Sequence, residues 1–249
     1  MPVVASVQAM ASYEDQVIAT FSEVAGRELE PGMSVVVLDD RESDAPVAYL
    51  LPAHALIACS PAAAGRVAPL DGRAGASREA VDAAMAGLGA SPVAGGVNYV
   101  LPDDAVVDAT VPDGYTVRWL DPSDADDKAF LDQFIDESDP DDIDEVEIER
   151  DAPDPAICVL VDTDGKVAAY ASGRPFWAAV EADDVGVLVA PAHRRRGLGA
   201  AVVAAFVERR RHVLPQLYRH NWDNEGSEGV ARSVGYAESH QLVAYSFGD

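Results

Sequence analysis

The chain has 249 residues, which suits one large domain or two small ones, and 49% of them are hydrophobic, enough for a packed core. It carries 43 Asp and Glu against 18 Lys and Arg, a formal net charge of −25 at pH 7. This balance argues against a general nucleic-acid binder, because such proteins neutralise phosphates with a basic surface. The lysines are Lys128 and Lys166 alone, and an acidic, lysine-poor surface is typical of proteins that work in high salt, where charge repulsion is screened.

The expected location is the cytoplasm. The start of the chain lacks the basic segment and the apolar run of a signal peptide, and no stretch approaches the roughly 20 apolar residues of a membrane span. Cys59 and Cys158 lie far apart among apolar residues, which predicts two buried thiols. No spacing of ligand residues suggests a metal site.

The first part of the chain predicts a small α/β unit. A helical pattern within residues 1–30 places Val17, Ile18, Phe21 and Val24 on one face. Short apolar runs predict strands at 34–38, 47–51 and 97–101, with an acidic turn at 39–44 and an ambiguous run at 56–59. Residues 61–75, rich in small side chains, indicate a loop.

A second helix is predicted over residues 77–88, with Ser77 as its N-terminal cap and Gly89 closing it. His54 is a lone histidine, for which a structural role is favoured over a catalytic one. Residues 103–114 are rich in Asp, Pro and Gly and indicate a boundary. We therefore predict an accessory domain at 1–110 and a second domain at 111–249.

The second part alternates strands and helices. The predicted strands lie at 115–120, 157–161, 167–172, 185–189, 216–221 and 242–247. The predicted helices lie at 124–135, from Leu198 to the arginines at 209–211, and from Asn224 to Val234. An acidic stretch, 136–154, follows the first of these helices.

The centre of the second part has the features of an anion site. A buried-strand pattern at Val185–Val189 is ended by Pro191, and Arg194–Arg196 then precede Gly197 and Gly199 at a helix start. The first N–H groups of a helix point outward without a partner, and the helix dipole adds positive charge there. Glycines admit a ligand close to the backbone, and arginines donate charge-assisted hydrogen bonds. Together these features predict a diphosphate site.

The sequence motif restricts which diphosphate-containing ligand is expected. The phosphate loop of nucleotide hydrolases needs Gly-Lys-Ser/Thr, which is absent, and the dinucleotide pattern G-x-G-x-x-G lacks its third glycine at 200–202. The pattern R-x-x-G-x-G fits Arg194, Gly197 and Gly199, just after V-x-P at 189–191. It resembles the acetyl-CoA signature of the GNAT superfamily of N-acetyltransferases. The alternative is a solvated basic loop, although three arginines at a helix start oppose its dipole unless an anion binds there.

The resemblance covers residues 114–249 and includes a second segment, Asn224-Glu225-Gly226-Ser227, followed by Gly235-Tyr236. It implies the α/β (α+β) fold of that family, a mixed sheet flanked by helices, here preceded by the small α/β domain. The chain also looks like a GNAT subgroup that carries an extra N-terminal domain.

The same resemblance implies acetyl transfer from acetyl-CoA, as co-substrate, to an amine by direct attack. In the family, the fourth strand splays from the fifth, and the pantetheine arm lies between them. The implied cofactor-binding residues are the backbone groups of Val187, Leu188 and Val189 and the diphosphate loop Arg194, Arg195, Arg196, Gly197, Leu198, Gly199 and Ala200. The amide of Leu188 or Val189 would meet the thioester oxygen. Asn224 would either bond the pantetheine or cap its own helix.

The proton acceptor is expected near the start of the fourth strand, where Asp183 and Asp184 lie. Side chains alternate along a strand, so one of the two can face the cleft, and Asp184 is preferred because it shares a face with Gly186 and Leu188. The alternative is that both are solvated turn residues. Ala231 occupies the position at which many members of the family carry a tyrosine that acts as general acid, and we assign no general acid.

The expected partner is a small-molecule or peptide amine, with no nucleic acid and no membrane. An acidic wall formed by residues 136–154 would attract a cationic amine. The alternative is that this stretch only reflects the acidity of the whole chain. A non-catalytic acyl-CoA-binding sensor or interaction module is a second functional hypothesis, and a homodimer is left open.

Overall fold

The computed structural model describes the backbone of residues 3–39, 41, 43–175 and 182–248, and the side chains from residue 13 onward within these ranges. The predicted acidic turn at 39–44 contains Asp40 and Glu42, which lie outside the described residues. The α-helices of the described part are α1 Val3–Ala25, α2 Pro61–Val67, α3 Arg78–Ala86, α4 Ala125–Glu137, α5 Pro140–Val146, α6 Leu198–Arg210 and α7 Glu225–Val234. Its strands are β1 Gly32–Val37, β2 Val47–Leu50, β3 His54–Cys59, β4 Ala90–Val100, β5 Thr116–Leu120, β6 Ala156–Val161, β7 Val167–Pro175, β8 Asp183–Val189, β9 Gln216–Asn221 and β10 Ala237–Phe247.

The described residues form two compact units. The first runs to Tyr99 and also contains His220–Glu225 and the end of the chain from Glu238, and the second contains Val100–Arg219 and Gly226–Ala237. These units differ from the predicted ranges of 1–110 and 111–249. The reason lies in β10, which pairs antiparallel with β2 and so places the last strand of the chain in the first unit.

In the first unit the strand order is β1-β3-β2-β10-β4. β1 and β3 are parallel, whereas β2 is antiparallel to both β3 and β10. The helices α2 and α3 contribute Val67, Val81 and Met85 to a core that includes Tyr245 of β10. The apolar face of α1 is confirmed at Val17 and Phe21, which are buried, but not at Val24, which is 46% exposed.

The predicted loop at 61–75 is wrong in its first part, because residues Pro61–Val67 form α2. Ser60 caps this helix, its Oγ accepting a hydrogen bond of 3.2 Å from the Ala63 N–H, and Pro61 occupies the first turn, where no N–H is needed. The predicted cap of the next helix is confirmed, since Ser77 Oγ accepts from the Ala80 N–H at 3.3 Å.

In the second unit the strand order is β9-β8-β7-β6-β5. β8 and β9 are parallel, and the other neighbours are antiparallel. On one face α4 packs a core in which Leu131 and Phe134 meet Tyr170 and Leu188. α6 contacts β6, β7 and β8, and its Phe206 lies against Gly173 of β7 and stacks on Trp119 of β5. This unit is therefore a mixed sheet flanked by helices, as predicted.

Most predicted elements of the second unit appear within two or three residues of their expected bounds, and β9 matches its prediction of 216–221. α5 was not predicted, because its sequence, Pro140–Val146, lies within the acidic stretch and lacks an apolar stripe. Its start has a capping signal nonetheless: Asp139 accepts a hydrogen bond of 3.0 Å from the Asp141 N–H, and Pro140 follows it.

Candidate functional site

The parallel strands β8 and β9 separate partway along their length. In the described strands their pairing joins Asp183–Val185 to Gln216–Tyr218 and goes no further. On its other side β8 stays paired with β7 as far as Val189. The edge of β8 from Gly186 to Val189 that faces β9 is therefore a row of backbone groups beyond the paired part of the two strands. The resemblance implies that Val187, Leu188 and Val189 bind an extended ligand there.

The loop after β8 leads into the start of α6. Arg195 and Gly197 both have left-handed backbone conformations, with φ of 61° and 76°. Gly197 is the N-cap residue of α6, and no side chain of the described structure caps that helix. A Cβ at Gly197 would have no described atom within 4 Å. Open space therefore lies beside Gly197 at the first turn of α6, where the free N–H groups of a helix suit a phosphate ligand.

Arg194 and Arg196 are held by neighbouring residues. Arg194 Nε donates to the Val189 carbonyl at 3.1 Å, and its Nη2 lies 2.5 Å from Asp142 Oδ2 of α5. Arg196 Nη1 donates to the Tyr115 hydroxyl at 3.1 Å. These contacts hold two of the three arginines beside the open start of α6.

A short hydrogen-bonded chain continues from Arg196. The Tyr115 hydroxyl lies 3.0 Å from His193 Nδ1, and His193 Nε2 lies 3.4 Å from Asp162 Oδ2. In the tautomer that carries its proton on Nε2, the imidazole of His193 faces Asp162 with an N–H group, and Nδ1 accepts from the Tyr115 hydroxyl. The side chain of His193 is 19% exposed and lies between these two partners.

Asp183 is part of a buried ion pair. Its two oxygens accept from Arg210 Nε and Nη2 of α6, each at 3.0 Å, and Gln216 Nε2 donates to Oδ2 at 2.8 Å. The residue is 2% exposed. All of these contacts lie on the α6 side of β8, so Asp183 fixes α6 to the sheet, and its predicted catalytic role gains no support from its surroundings.

Asp184 points to the opposite face. Arg219 Nη2 of β9 donates to its Oδ2 at 2.9 Å, and the Asp184 side chain is only 10% exposed. Burial raises the pKa of Asp184 above its ordinary value, and the Arg219 guanidinium opposes that shift. The alternative of two solvated turn residues is wrong, because both carboxyl groups are buried.

Glu147 closes α5 beside the same face. It has a left-handed backbone conformation, with φ of 57° and ψ of 41°, which is uncommon for a residue with a Cβ. Arg174 of β7 holds it there: Arg174 Nη2 donates to the carbonyls of Val146 and Glu147 at 2.7 and 3.0 Å, and Nη1 pairs with the Glu147 carboxylate.

The candidates for a general acid remain unassigned. Ala231 is fully buried in α7. The Tyr218 hydroxyl lies 3.0 Å from Ser227 Oγ, and burial raises the pKa of Tyr218 to about 12. Tyr236 is also buried, with its pKa raised by burial. Asn224 directly precedes α7, and its backbone N–H donates to the Asn221 carbonyl at 3.0 Å, a position that suits a cap.

A mixed sheet with two separating parallel strands is thus followed by an uncapped helix start bordered by arginines. Residues 119–236 match the Acetyltransferase (GNAT) family. The matching segment, slightly under half of the chain, is therefore similar to that family. Among curated proteins the comparison found no match to this chain.

Solved structures that align with this chain at TM-scores below 0.5 bear related names. A GCN5-related N-acetyltransferase from Kribbella flavida is 19% identical, with a TM-score of 0.49, over 79% of this chain and 69% of its own. One from Sphaerobacter thermophilus is 21% identical, with a TM-score of 0.49, over 68% of this chain and 56% of its own. A GCN5-related N-acetyltransferase-like protein from Streptococcus suis is 14% identical, with a TM-score of 0.45, over 97% of this chain and 96% of its own.

Two further findings concern ligands and membranes. Among the described residues, no group of three or more His, Cys, Asp or Glu side chains could hold a metal ion. In the same part of the chain, no helix combines the length and apolar character of a membrane span.

Sequence reasoning missed three charged residues of this site: Glu147, Arg174 and Arg219. Glu147 directly follows α5, whereas Arg174 and Arg219 belong to β7 and β9, and only the order of the strands brings the three to one face. No spacing along the chain signals that meeting.

Proposed function

We propose that this protein is an N-acetyltransferase that moves an acetyl group from acetyl-CoA to an amine by direct attack. The observation that carries the proposal is the opening between β8 and β9, which begins at Gly186 and leads to the arginine-bordered start of α6. The edge of β8 would bind the pantetheine arm, and residues Arg194–Ala200 would bind the diphosphate.

Asp184 is the proposed proton acceptor. It is a buried carboxyl group on the face of β8 that carries Gly186, and its raised pKa makes it a better base than an exposed aspartate. An acceptor amine is protonated at neutral pH, so a proton must leave before its nitrogen can attack. A thiolate leaves readily, which is why the proposal needs no general acid at the position of Ala231.

The test is release of coenzyme A from acetyl-CoA over a panel of amines, for the parent and for Asp184→Asn. We expect turnover with one class of amine and a fall in kcat of about 100-fold in Asp184→Asn, the usual contribution of a general base. Asp183→Asn is the matched control, because the neighbouring carboxylate faces α6 and should affect stability rather than chemistry.

A non-catalytic acyl-CoA-binding module is the second candidate. It is favoured by the ion pair between Asp184 and Arg219, since a carboxylate already paired with an arginine is a weaker proton acceptor. Tight binding of acetyl-CoA with no release of coenzyme A on any amine would decide for this candidate.

Three expectations from the sequence stay predictions. Fractionation of cells would test the cytoplasmic location, and light scattering would test for a homodimer. The cationic-acceptor hypothesis depended on the acidic stretch 136–154. Several acidic side chains of that stretch have basic partners, among them Glu137 with Lys166 and Asp142 with Arg194, which favours the alternative that the stretch is not specific.

A further inference from the structure

Five side chains of alternating charge form a row on the α5 face of the second unit. In order they are Asp154, Arg174, Glu147, Arg219 and Asp184. The outer links join Asp154 to Arg174 at 3.7 Å and Arg219 to Asp184 at 2.9 Å, and the Arg174 guanidinium contacts Glu147 directly. The remaining link, between Glu147 Oε1 and Arg219 Nη2, is 3.9 Å and is the longest of the row.

The row lies at the opening between β8 and β9. Arg219 directly follows Tyr218, the last β9 residue paired with β8, and Gly186 directly follows Val185, its partner. Gly186 shares a face with Asp184 because side chains alternate along a strand. A Cβ at Gly186 would lie 3.0 Å from Val146 Cγ1, so the end of α5, where Glu147 stands, covers this point of the opening.

The long link is also the exposed one. The side chains of Glu147 and Arg219 are 55% and 41% exposed, against 10% for Asp184 and 13% for Asp154. An exposed ion pair at such a distance contributes little to stability. A ligand that approaches the opening therefore contacts the Glu147 carboxylate and the Arg219 guanidinium side by side. Arg174 holds Glu147 and Asp184 holds Arg219, while the contact between Glu147 and Arg219 is long.

We propose that the acceptor carries a carboxylate beside its amine, as an α-amino acid does; this inference rests on the acetyl transfer proposed above. The ligand carboxylate would pair with Arg219, because a guanidinium offers parallel N–H groups to a planar carboxylate. The ligand ammonium would pair with Glu147. Binding of such a ligand would replace the long ion pair between Glu147 and Arg219 with two close ion pairs to the ligand. A simple amine would instead place a second cation beside Arg219.

Acetyl transfer to this acceptor releases one proton overall. The ammonium of the acceptor gives one proton to Asp184 or to water, and the neutral nitrogen attacks the carbonyl carbon of the thioester. The new N–C bond forms as the C–S bond breaks, the nitrogen loses its second proton, and the thiolate takes up one. The product is an N-acetyl compound that retains its carboxylate, together with coenzyme A and one released proton.

The test compares matched acceptors. For several side chains, coenzyme A release is measured with the α-amino acid, its carboxamide and the decarboxylated amine. We expect kcat/KM to be at least about tenfold higher for the acid than for its carboxamide, the effect of one charge-assisted contact. Arg219→Gln should bring this ratio close to one.

The ratio within each variant is the decisive quantity, because Arg219 also contacts Asp184 and its removal alters the base for all acceptors alike. Arg27→Gln is the matched control, since Arg27 makes an ion pair with Asp71 in the first unit at a similar exposure of 43%. It should keep the parent ratio. Equal rates for acid and carboxamide in the parent, or an unchanged ratio in Arg219→Gln, would overturn the acceptor assignment alone. No release with any amine would overturn the transferase proposal itself and this inference with it.

Discussion

Asp183 and Asp184 face opposite sides of the sheet and have different partners. They are neighbours in β8, yet one pairs with Arg210 of α6 and the other with Arg219 of β9. Both are buried, so neither burial nor charge distinguishes them. What differs is the face, because Asp184 shares its face with Gly186, at the opening, and Asp183 lies beneath a helix.

The hydroxyl of Tyr115 leads to a prediction for binding of the diphosphate. It accepts from Arg196 at 3.1 Å and lies 3.0 Å from His193 Nδ1, so it fixes one arginine beside the start of α6. We expect Tyr115→Phe to raise the KM for acetyl-CoA about tenfold, the effect of losing one hydrogen bond to a charged group. Steady-state kinetics with saturating amine would measure the change.

Two comparisons separate positioning from a general loss of structure. Acetyl-pantetheine lacks the diphosphate, so its KM should be the same for the parent and Tyr115→Phe. Tyr245→Phe removes a different hydroxyl, one that donates to Asp82 at 2.6 Å in the first unit, and should leave both KM values unchanged. Equal losses for acetyl-CoA and acetyl-pantetheine would refute a role for Tyr115 at the diphosphate.

At the scale of elements, the layer between α1 and the sheet of the first unit contains a buried histidine. His240 of β10 is 2% exposed, and its ring lies 5.9 Å from that of Tyr13 of α1 and 6.2 Å from that of Tyr49 of β2. Its Nε2 has no hydrogen-bond partner among the described residues. Burial lowers the pKa of His240 to about 4.

This shift predicts a loss of stability in acid. The unfolded chain binds a proton at His240 near pH 6.5, whereas the folded chain binds it only near pH 4, so stability is highest above pH 6.5 and falls as the pH drops toward 4. Between pH 7 and pH 5 the loss is about 2 kcal/mol. Urea unfolding at both pH values would measure it in the parent and in His240→Gln.

The prediction concerns the difference between the two proteins, because other groups titrate in the same range. His240→Gln should show a dependence on pH that is weaker by about 2 kcal/mol. His212→Gln, which removes an exposed histidine after α6, should behave as the parent does. If His240→Gln also kept the dependence of the parent, the imidazole of His240 would not be its source.

The elements found from the sequence are those with a strong apolar pattern. The strands β6 to β8 and the helix α6 contain apolar runs with proline or glycine near their ends, and the loop of Arg194, Gly197 and Gly199 has a recognisable spacing. The two missed helices, α2 and α5, are seven residues each, one rich in alanine and the other in acidic residues. Only the caps at Ser60 and Asp139, each followed by proline, indicated them.

The features that the sequence did not predict depend on contacts between residues far apart in the chain. β10 was predicted as the last strand of the second domain, and its pairing with β2 depends on the register of residues about 200 positions apart. The contacts of Glu147 with Arg174 and of Tyr115 with His193 likewise join residues that are far apart in the chain. Local pattern predicts an element and its exposed face, but not which element becomes its neighbour.

At the scale of the whole chain, 43 acidic residues face only 18 basic ones, so a net charge of −25 remains even if every basic residue forms an ion pair. Part of the acidic excess stabilises helix starts: Asp124 and Asp139 cap α4 and α5. The remaining carboxylates repel one another over distances that depend on the salt concentration, because the Debye length falls from about 10 Å at 0.1 M to about 3 Å at 1 M.

Salt should therefore stabilise this protein. We expect Tm to rise by about 5 °C or more between 0.05 and 1 M NaCl, as screening removes roughly 2 kcal/mol of repulsion from a chain of this length. Sodium chloride is the salt to use, because sulfate stabilises folded proteins by exclusion from their surface whatever their charge.

Replacing the exposed Asp103, Asp104 and Asp113 with Asn changes the net charge from −25 to −22. This change should raise Tm at low salt and reduce the slope of Tm against NaCl concentration. A Tm that does not change with NaCl, together with unchanged activity at low salt, would exclude adaptation to high salt as the reason for the acidic surface. A slope that the triple variant leaves unaltered would show that the salt acts through something other than screening of these charges.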